Sequence, residues 1–134
     1  MTIGSFSKNT YFPSSDTVGW NLHNSSMIHT DAGIEHNIPH ISLGHELGHA
    51  YSDVIGGGYN KGTWYVIEGK SILMDEIIST HFENLLRSEN SLPLRLKYSE
   101  GGPSIIDKHR GSVYYNKYNR TQFRRVKKSE RYTY

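Results

Sequence analysis

The chain has 134 residues, 35% of them apolar, and a mean hydropathy of -0.63, which bounds it to one domain with a lean core. No run of about 18 apolar residues is available to cross a membrane, residues 1–11 lack the blocks of a secretory signal, and the absence of cysteine excludes disulfides, thiolate metal sites and thiol nucleophiles. A net charge of +2 hides an asymmetry: residues 107–134 carry nine Lys or Arg against Asp107 and Glu130, whereas residues 1–106 carry six against eleven acidic side chains.

In chain order, residues 1–38 are rich in Ser, Asn, Gly and Thr. The alternation of Val18, Trp20 and Leu22, the turn-forming Asn24-Ser25-Ser26 and the following Met27-Ile28 predict a short β-hairpin. From Pro39 the period changes to that of a helix, with Ile41, Leu43, Leu47, Ala50 and Val54 recurring at helical spacings, Pro39 suited to the first turn and Gly56-Gly57-Gly58 as a stop. A first helix is predicted over residues 39–55. Residues 56–70, with five glycines among Tyr59, Trp64, Tyr65, Val66 and Ile67, read as a loop with room for one short strand. A second helix is predicted over residues 71–90 from Ile72, Leu73, Ile77, Ile78, Phe82, Leu85 and Leu86, ending before Pro93.

The first helix carries His45-Glu46-Leu47-Gly48-His49, an HExxH motif. Side chains four apart lie about 6 Å apart on one helical face, so two imidazoles can converge on one ion, and zinc takes such nitrogens at about 2.0–2.1 Å. Glu46, offset by one position, stands beside the ion and can take a proton from water and return it to a leaving amine. With eight His and eight Glu, composition alone yields about 0.03 occurrences of this motif. The bland readings, a pair of surface histidines or a catalytically dead metal site, have less support, because Gly44 and Gly48 mark a closely packed helix.

A catalytic zinc needs a third protein ligand and one open position. The extended form HExxHxxGxxH fails at Ser52 and Ile55, so the ligand comes from elsewhere, and the second helix offers a polar stripe of Glu76, Thr80, Glu83 and Arg87. Glu76 and Glu83 stand about 10.5 Å apart along the axis, so only one of them coordinates. Asp75-Glu76-Ile77-Ile78-Ser79-Thr80 resembles the Asn-Glu-x-x-Ser-Asp segment that bears the glutamate ligand of thermolysin-like gluzincins, with Asp75 and Thr80 as departures. This resemblance favours Glu76 as ligand, with Glu83 as the alternative. His81 falls on another face, and Asp53 and Glu68 are weaker candidates.

The strings LGHELGHAY at 43–51 and DEIISTHFENLLRSENSLPLR at 75–95 together resemble the secreted effector zinc metallopeptidase family, which includes NleD-type effectors and the C-terminal toxin domains of Rhs-repeat polymorphic toxins. The shared positions after the zinc helix are Glu76-Ile77, Glu83-Asn84, Arg87 and Leu92-Pro93-Leu94-Arg95, within about two-fifths of the chain. The resemblance implies an α+β, zincin-like domain with an active-site helix, a second ligand-bearing helix and a short N-terminal sheet or hairpin. It also implies a protease acting on a protein, delivered into a target cell by a bacterial secretion system, with an immunity protein or secretion chaperone as a further partner.

The expected assignments are therefore zinc on His45, His49 and Glu76, Glu46 as general base and acid, and Thr80, Glu83, Asn84 and Arg87 as supports of the ligands or contacts of the substrate. Tyr98, His109, Tyr114 and Tyr115 are the candidates for stabilising the oxyanion, and Trp20 to His29 is, by analogy with zincins, the strand that would accept the substrate. Residues 1–106 would form the core and 107–134 a basic, Tyr-rich segment of the same domain. That segment suggests a rival of another class, a non-catalytic module binding nucleic acid or protein, although packing against the acidic body is the better reading of it. A third reading is zinc-dependent cleavage of a peptidoglycan crosslink.

Overall fold

The computed structural model describes residues 1–23, 26–55, 58, 61–116 and 125–134 and is a small α+β domain of two helices and several small sheets. Thr2–Ser5 (β1), Thr10–Phe12 (β2) and Thr17–Trp20 (β3) form one sheet in the order β1-β3-β2, with β3 parallel to β1 and antiparallel to β2. Met27–Thr30 (β4) lies in a second sheet, between Gly33–His36 (β5) and Arg95–Lys97 (β8). The two helices are Pro39–Val54 (α1) and Asp75–Glu89 (α2). Between them Thr63–Ile67 (β6) and Lys70–Leu73 (β7) form a hairpin, and Gly111–Asn116 (β9) pairs with Arg131–Thr133 (β10).

The predicted hairpin around Asn24-Ser25-Ser26 is not formed: its strands belong to different sheets. Asn24 and Ser25 lie outside the described residues. Val18 and Ile28 are both buried as the alternation requires, but Val18 pairs with Ile3 and Tyr11, and Ile28 with Glu35. A period of two identifies a half-buried strand without identifying its partner.

α1 begins at Pro39 as expected and ends at Val54. Gly56 and Gly57 lie outside the described residues, but Gly58, at φ 115°, donates its amide to the Ser52 carbonyl at 2.9 Å and closes the helix end. The start of α2 is later than predicted, because residues 70–73 are a strand: Glu68 and Gly69, both at positive φ, make the tight turn that folds β7 back on β6. Asp75 and Glu76 thereby sit in the first turn of α2, where the helix dipole favours carboxylates.

Leu43, Leu47 and Ala50 of α1 pack with Tyr11 and Val18 of the first sheet. The opposite side of α1 meets α2 through polar groups: Ser52, Asp75, Ser79, Thr80, Glu83, Asn84 and Arg87 are all at most 1% exposed. A lean apolar composition is thus accompanied by an interior of paired polar side chains. At Gly48 an added Cβ would lie 2.7 Å from the Ser79 Cα, so this glycine sets the distance between the helices. Gly48→Ala is expected to cost about 1–3 kcal/mol from overpacking, more than the gain of up to about 1 kcal/mol in helix propensity, and to lower the urea midpoint.

The C-terminal segment packs on α2. The His81 imidazole stacks on Tyr115 at 3.6 Å and shares a 2.6 Å hydrogen bond with the Tyr134 hydroxyl, away from the HExxH histidines. Arg110 reaches Asp31 of the body at 3.0 Å, and Arg131 pairs with Asp107 at 2.8 Å. Residues 117–124, which hold Lys117, Tyr118, Arg120, Phe123 and Arg124 of the basic run, lie outside the described residues. Among the described residues no helix is long and apolar enough to cross a membrane.

Candidate metal centre

His45 and His49, one turn apart on α1, face the first turn of α2, and one atom each from His45, His49 and Glu76 lies within 4.8 Å of the other two. His45 Nε2 is 2.9 Å and His49 Nε2 3.4 Å from the same oxygen, Glu76 Oε2. Two ligand atoms on one tetrahedral zinc stand about 3.3 Å apart at ordinary bond lengths. The separations bracket that value, and two imidazole nitrogens with one carboxylate oxygen are a donor set for a divalent transition metal. The group can hold a metal ion.

The far nitrogens of both rings are tied down. Asp75 Oδ2 lies 2.6 Å from His49 Nδ1, and the same carboxylate accepts the Ser52 hydroxyl through its other oxygen. Ser79 Oγ, 2.8 Å from His49 Nδ1, adds a second polar contact there. Glu83 Oε2 lies 3.2 Å from His45 Nδ1 and is itself held by Arg95 at 2.7 Å and, through Oε1, by Arg87 at 3.3 Å. A carboxylate on Nδ1 fixes the ring and leaves Nε2 to the ion. Glu83, the alternative ligand, therefore backs His45 instead of joining the cluster, and Asp75, a departure from the gluzincin segment, backs His49.

Thr80 donates to the Glu76 carbonyl at 2.7 Å, within α2. Asn84 clamps β8, donating to the Arg95 carbonyl at 3.0 Å and accepting the Arg95 amide at 2.7 Å. Arg87 donates to the Pro93 carbonyl and to Asn37 Oδ1 at 3.1 and 2.9 Å. All three are buried. Asp53 accepts the Tyr11 hydroxyl at 2.8 Å and Glu68 sits in the β6–β7 turn, so neither joins the cluster.

Burial would push the His45 imidazolium down, but hydrogen bonds to Glu76 and Glu83, and then their charges, raise it to about 10. His49 is likewise raised, by Asp75 and Glu76 against the effect of burial. Burial pushes Glu83 up, yet the Arg95 charge and the His45 contact hold it at about 2, and the two histidines hold Glu76 well below the usual carboxylate range. In protein freed of metal by a chelator, an incoming ion must therefore displace a proton from His45 at neutral pH. Protons compete, so zinc affinity should rise with pH by about tenfold per unit for each proton released. Competition against a chelator between pH 7 and 8.5 measures this; a flat response would mean an ordinary histidine, already neutral there.

Glu46 borders the cluster on the side of an open cleft. Burial pushes its carboxyl up, against the pull of His45 and His49. Of the four oxyanion candidates Tyr98 lines the cleft together with Glu46 and Glu76, its ring stacked on His45 at 6.0 Å. Burial first, and then the Glu76 charge, push its phenol up, so the hydroxyl keeps its proton. Tyr115 is buried on His81, Tyr114 packs on Trp64 at 5.5 Å and His109 is exposed near Asp107. Trp20 to His29 does not supply a free strand edge, because β3 and β4 are each the middle strand of a sheet. One edge strand at the cleft is β2, through Thr10 and Tyr11.

Sequence reasoning missed Asp75 and Ser79 as parts of the site. Asp75 and Ser79 stand four residues apart, each one position before Glu76 and Thr80 of the stripe singled out. Comparisons of the chain with protein-family models, with curated proteins and with solved structures return no match.

Proposed function

We propose that this chain is a zinc-dependent endopeptidase of zincin-like architecture, acting on a protein substrate as a delivered bacterial effector or toxin domain. The observation that carries the reading is the direction of the two imidazoles. Both turn Nε2 toward Glu76 and Nδ1 toward a buried carboxylate, with Glu46 free beside them.

Zinc held by His45, His49 and Glu76 would supply Lewis acidity, acidifying water toward a pKa of about 7 and polarising a carbonyl. Glu46 then takes the proton as water oxygen bonds to the peptide carbon, and gives it to the amine as the carbon–nitrogen bond breaks. Tyr98, protonated and in the same cleft, donates to the oxyanion. An extended substrate would be aligned by pairing with the edge of β2. The resemblance of residues 43–51 and 75–95 to secreted effector metallopeptidases supports the choice of a protein substrate and of a cell as destination.

The test is to incubate zinc-loaded protein with a lysate of candidate target cells and sequence the new N-termini. Wild type should generate them and Glu46→Gln should not. Release of fragments from purified cell wall instead, with the lysate proteins intact, would replace this reading with peptidoglycan hydrolysis.

A further inference from the structure

Beyond the metal and the general base, the cleft continues into a small cavity of about 200 Å³ at the start of α1. That is below the range of about 300–1,000 Å³ in which whole small-molecule ligands are bound, and on the scale of one side chain. Its walls include Asn9, Ser26, Asn37, Ser42 and Arg95, and it reaches Glu46 and His45 directly.

The walls are rich in donors. Ser42, a lining residue 4% exposed, has a buried hydroxyl with no hydrogen-bond partner, an arrangement that costs about 1–3 kcal/mol unless a partner is supplied. Asn37, 8% exposed, has its side-chain oxygen taken by Arg87 and by the Ile38 amide, which leaves the amide nitrogen to offer. Asn9 is in the same condition, its oxygen accepting the Asn21 amide at 2.6 Å. Arg95 brings a guanidinium with donors beyond the three bonds it makes to Glu83 and to the Lys97 and Tyr98 carbonyls. The first turn of α1 contains no acidic residue and Ile38 provides no side-chain cap, so neither offsets the positive end of the helix dipole there.

We infer that this cavity is a substrate subsite flanking the scissile bond, and that it selects a carboxylate or carboxamide group, with the Ser42 hydroxyl and the Asn9 and Asn37 amides as the recognising donors. This rests on the metallopeptidase reading above and deepens it. An apolar side chain would leave the buried Ser42 hydroxyl unpaired, which is how a polar site rejects an apolar competitor. The acceptor group has two possible sources, a side chain of Asp, Asn, Glu or Gln or the end of the substrate chain.

The probe is a series of peptides whose N-terminus is acylated by a hydroxamate-bearing succinyl group that anchors at the metal, differing in a single side chain beside the anchor: Asp, Asn, Glu, Gln, Leu or Phe. Each is made with a free and with an amidated C-terminus. Binding is measured by titration calorimetry on zinc-loaded protein whose metal content is verified by elemental analysis. The Asp, Asn, Glu and Gln compounds should bind at least tenfold more tightly than Leu and Phe in wild type, and Ser42→Ala should reduce that ratio to threefold or less. A preference that follows only the free C-terminus assigns the same donors to a chain end. Binding of the whole series without preference, or tighter binding of Leu and Phe, overturns the subsite and leaves the peptidase reading standing. A preference undiminished in Ser42→Ala also overturns it. Failure of every compound to bind the loaded protein would count against both.

Discussion

Glu46→Gln should lower hydrolysis by at least the factor of about 10²–10⁴ that a positioned general base contributes, while zinc stays bound at one ion per chain. The substitution preserves shape and removes the proton-accepting oxygen. Metal retention follows from the arrangement around it. Glu46 belongs neither to the group of His45, His49 and Glu76 nor to the pairs that orient it, since Asp75 and Glu83 occupy the two Nδ1 positions. Substrate affinity should change far less than turnover, because the lost function operates in the transition state. Single-turnover kinetics with calorimetric zinc titration on both proteins measures the two quantities separately. Equal loss of zinc and of activity would make Glu46 a ligand and not a base.

The second large effect distinguishes the two glutamates of α2. Glu76→Ala removes a carboxylate whose oxygen faces both imidazoles, so zinc affinity should fall by more than the roughly 10–100-fold that loss of an outer partner costs. Folding of the metal-free protein should also weaken, since Glu76 pairs with both imidazoles there, but less than in the Glu83 variant, because a histidine left without its partner can lose its proton. Glu83→Ala behaves in the opposite way. It leaves Arg87 and Arg95, both buried, without their shared counter-charge, and breaking a buried pair in this way costs about 3–5 kcal/mol. Its zinc affinity should fall only within the outer-partner range, since His45 loses its support but remains. Zinc competition assays and urea unfolding on the two variants provide the comparison, with Glu83→Gln as the variant that preserves volume if Glu83→Ala does not fold. Zinc lost in the Glu83 variants and retained in Glu76→Ala would exchange the two assignments.

Much of this site was legible because its parts are local. The HExxH spacing brings two rings to one face of one helix, and a polar stripe inside an otherwise apolar period directs attention to α2. A six-residue resemblance favours Glu76 over Glu83, and the geometry brings Glu76 to the two histidines. The partners of the rings were less legible. Asp75 looked like a departure from a pattern, yet its carboxylate takes the position on His49 that such a site requires. Arg95 and Tyr98 belong to β8 and the turn after it, brought to the cleft by the pairing of β4 with β8 and by the Asn84 clamp, neither of which has a local signature. The predicted hairpin fails for a related reason. Val18 and Ile28 have strand character in sequence, but their partners are Ile3, Tyr11 and Glu35, and the choice of partner is a long-range event. The late start of α2 was foreshadowed only by Glu68-Gly69, a turn signal within residues that also fit a helical period.

An anomalous difference map at the zinc edge, from crystals grown with stoichiometric zinc, locates the ion directly. A single strong peak within about 2.0–2.2 Å of His45 Nε2, His49 Nε2 and a Glu76 carboxylate oxygen, with no fourth side chain on the ion, is the expected result. A peak bonded to Glu83, an ion coordinated by four protein groups, or no peak at this position would contradict it.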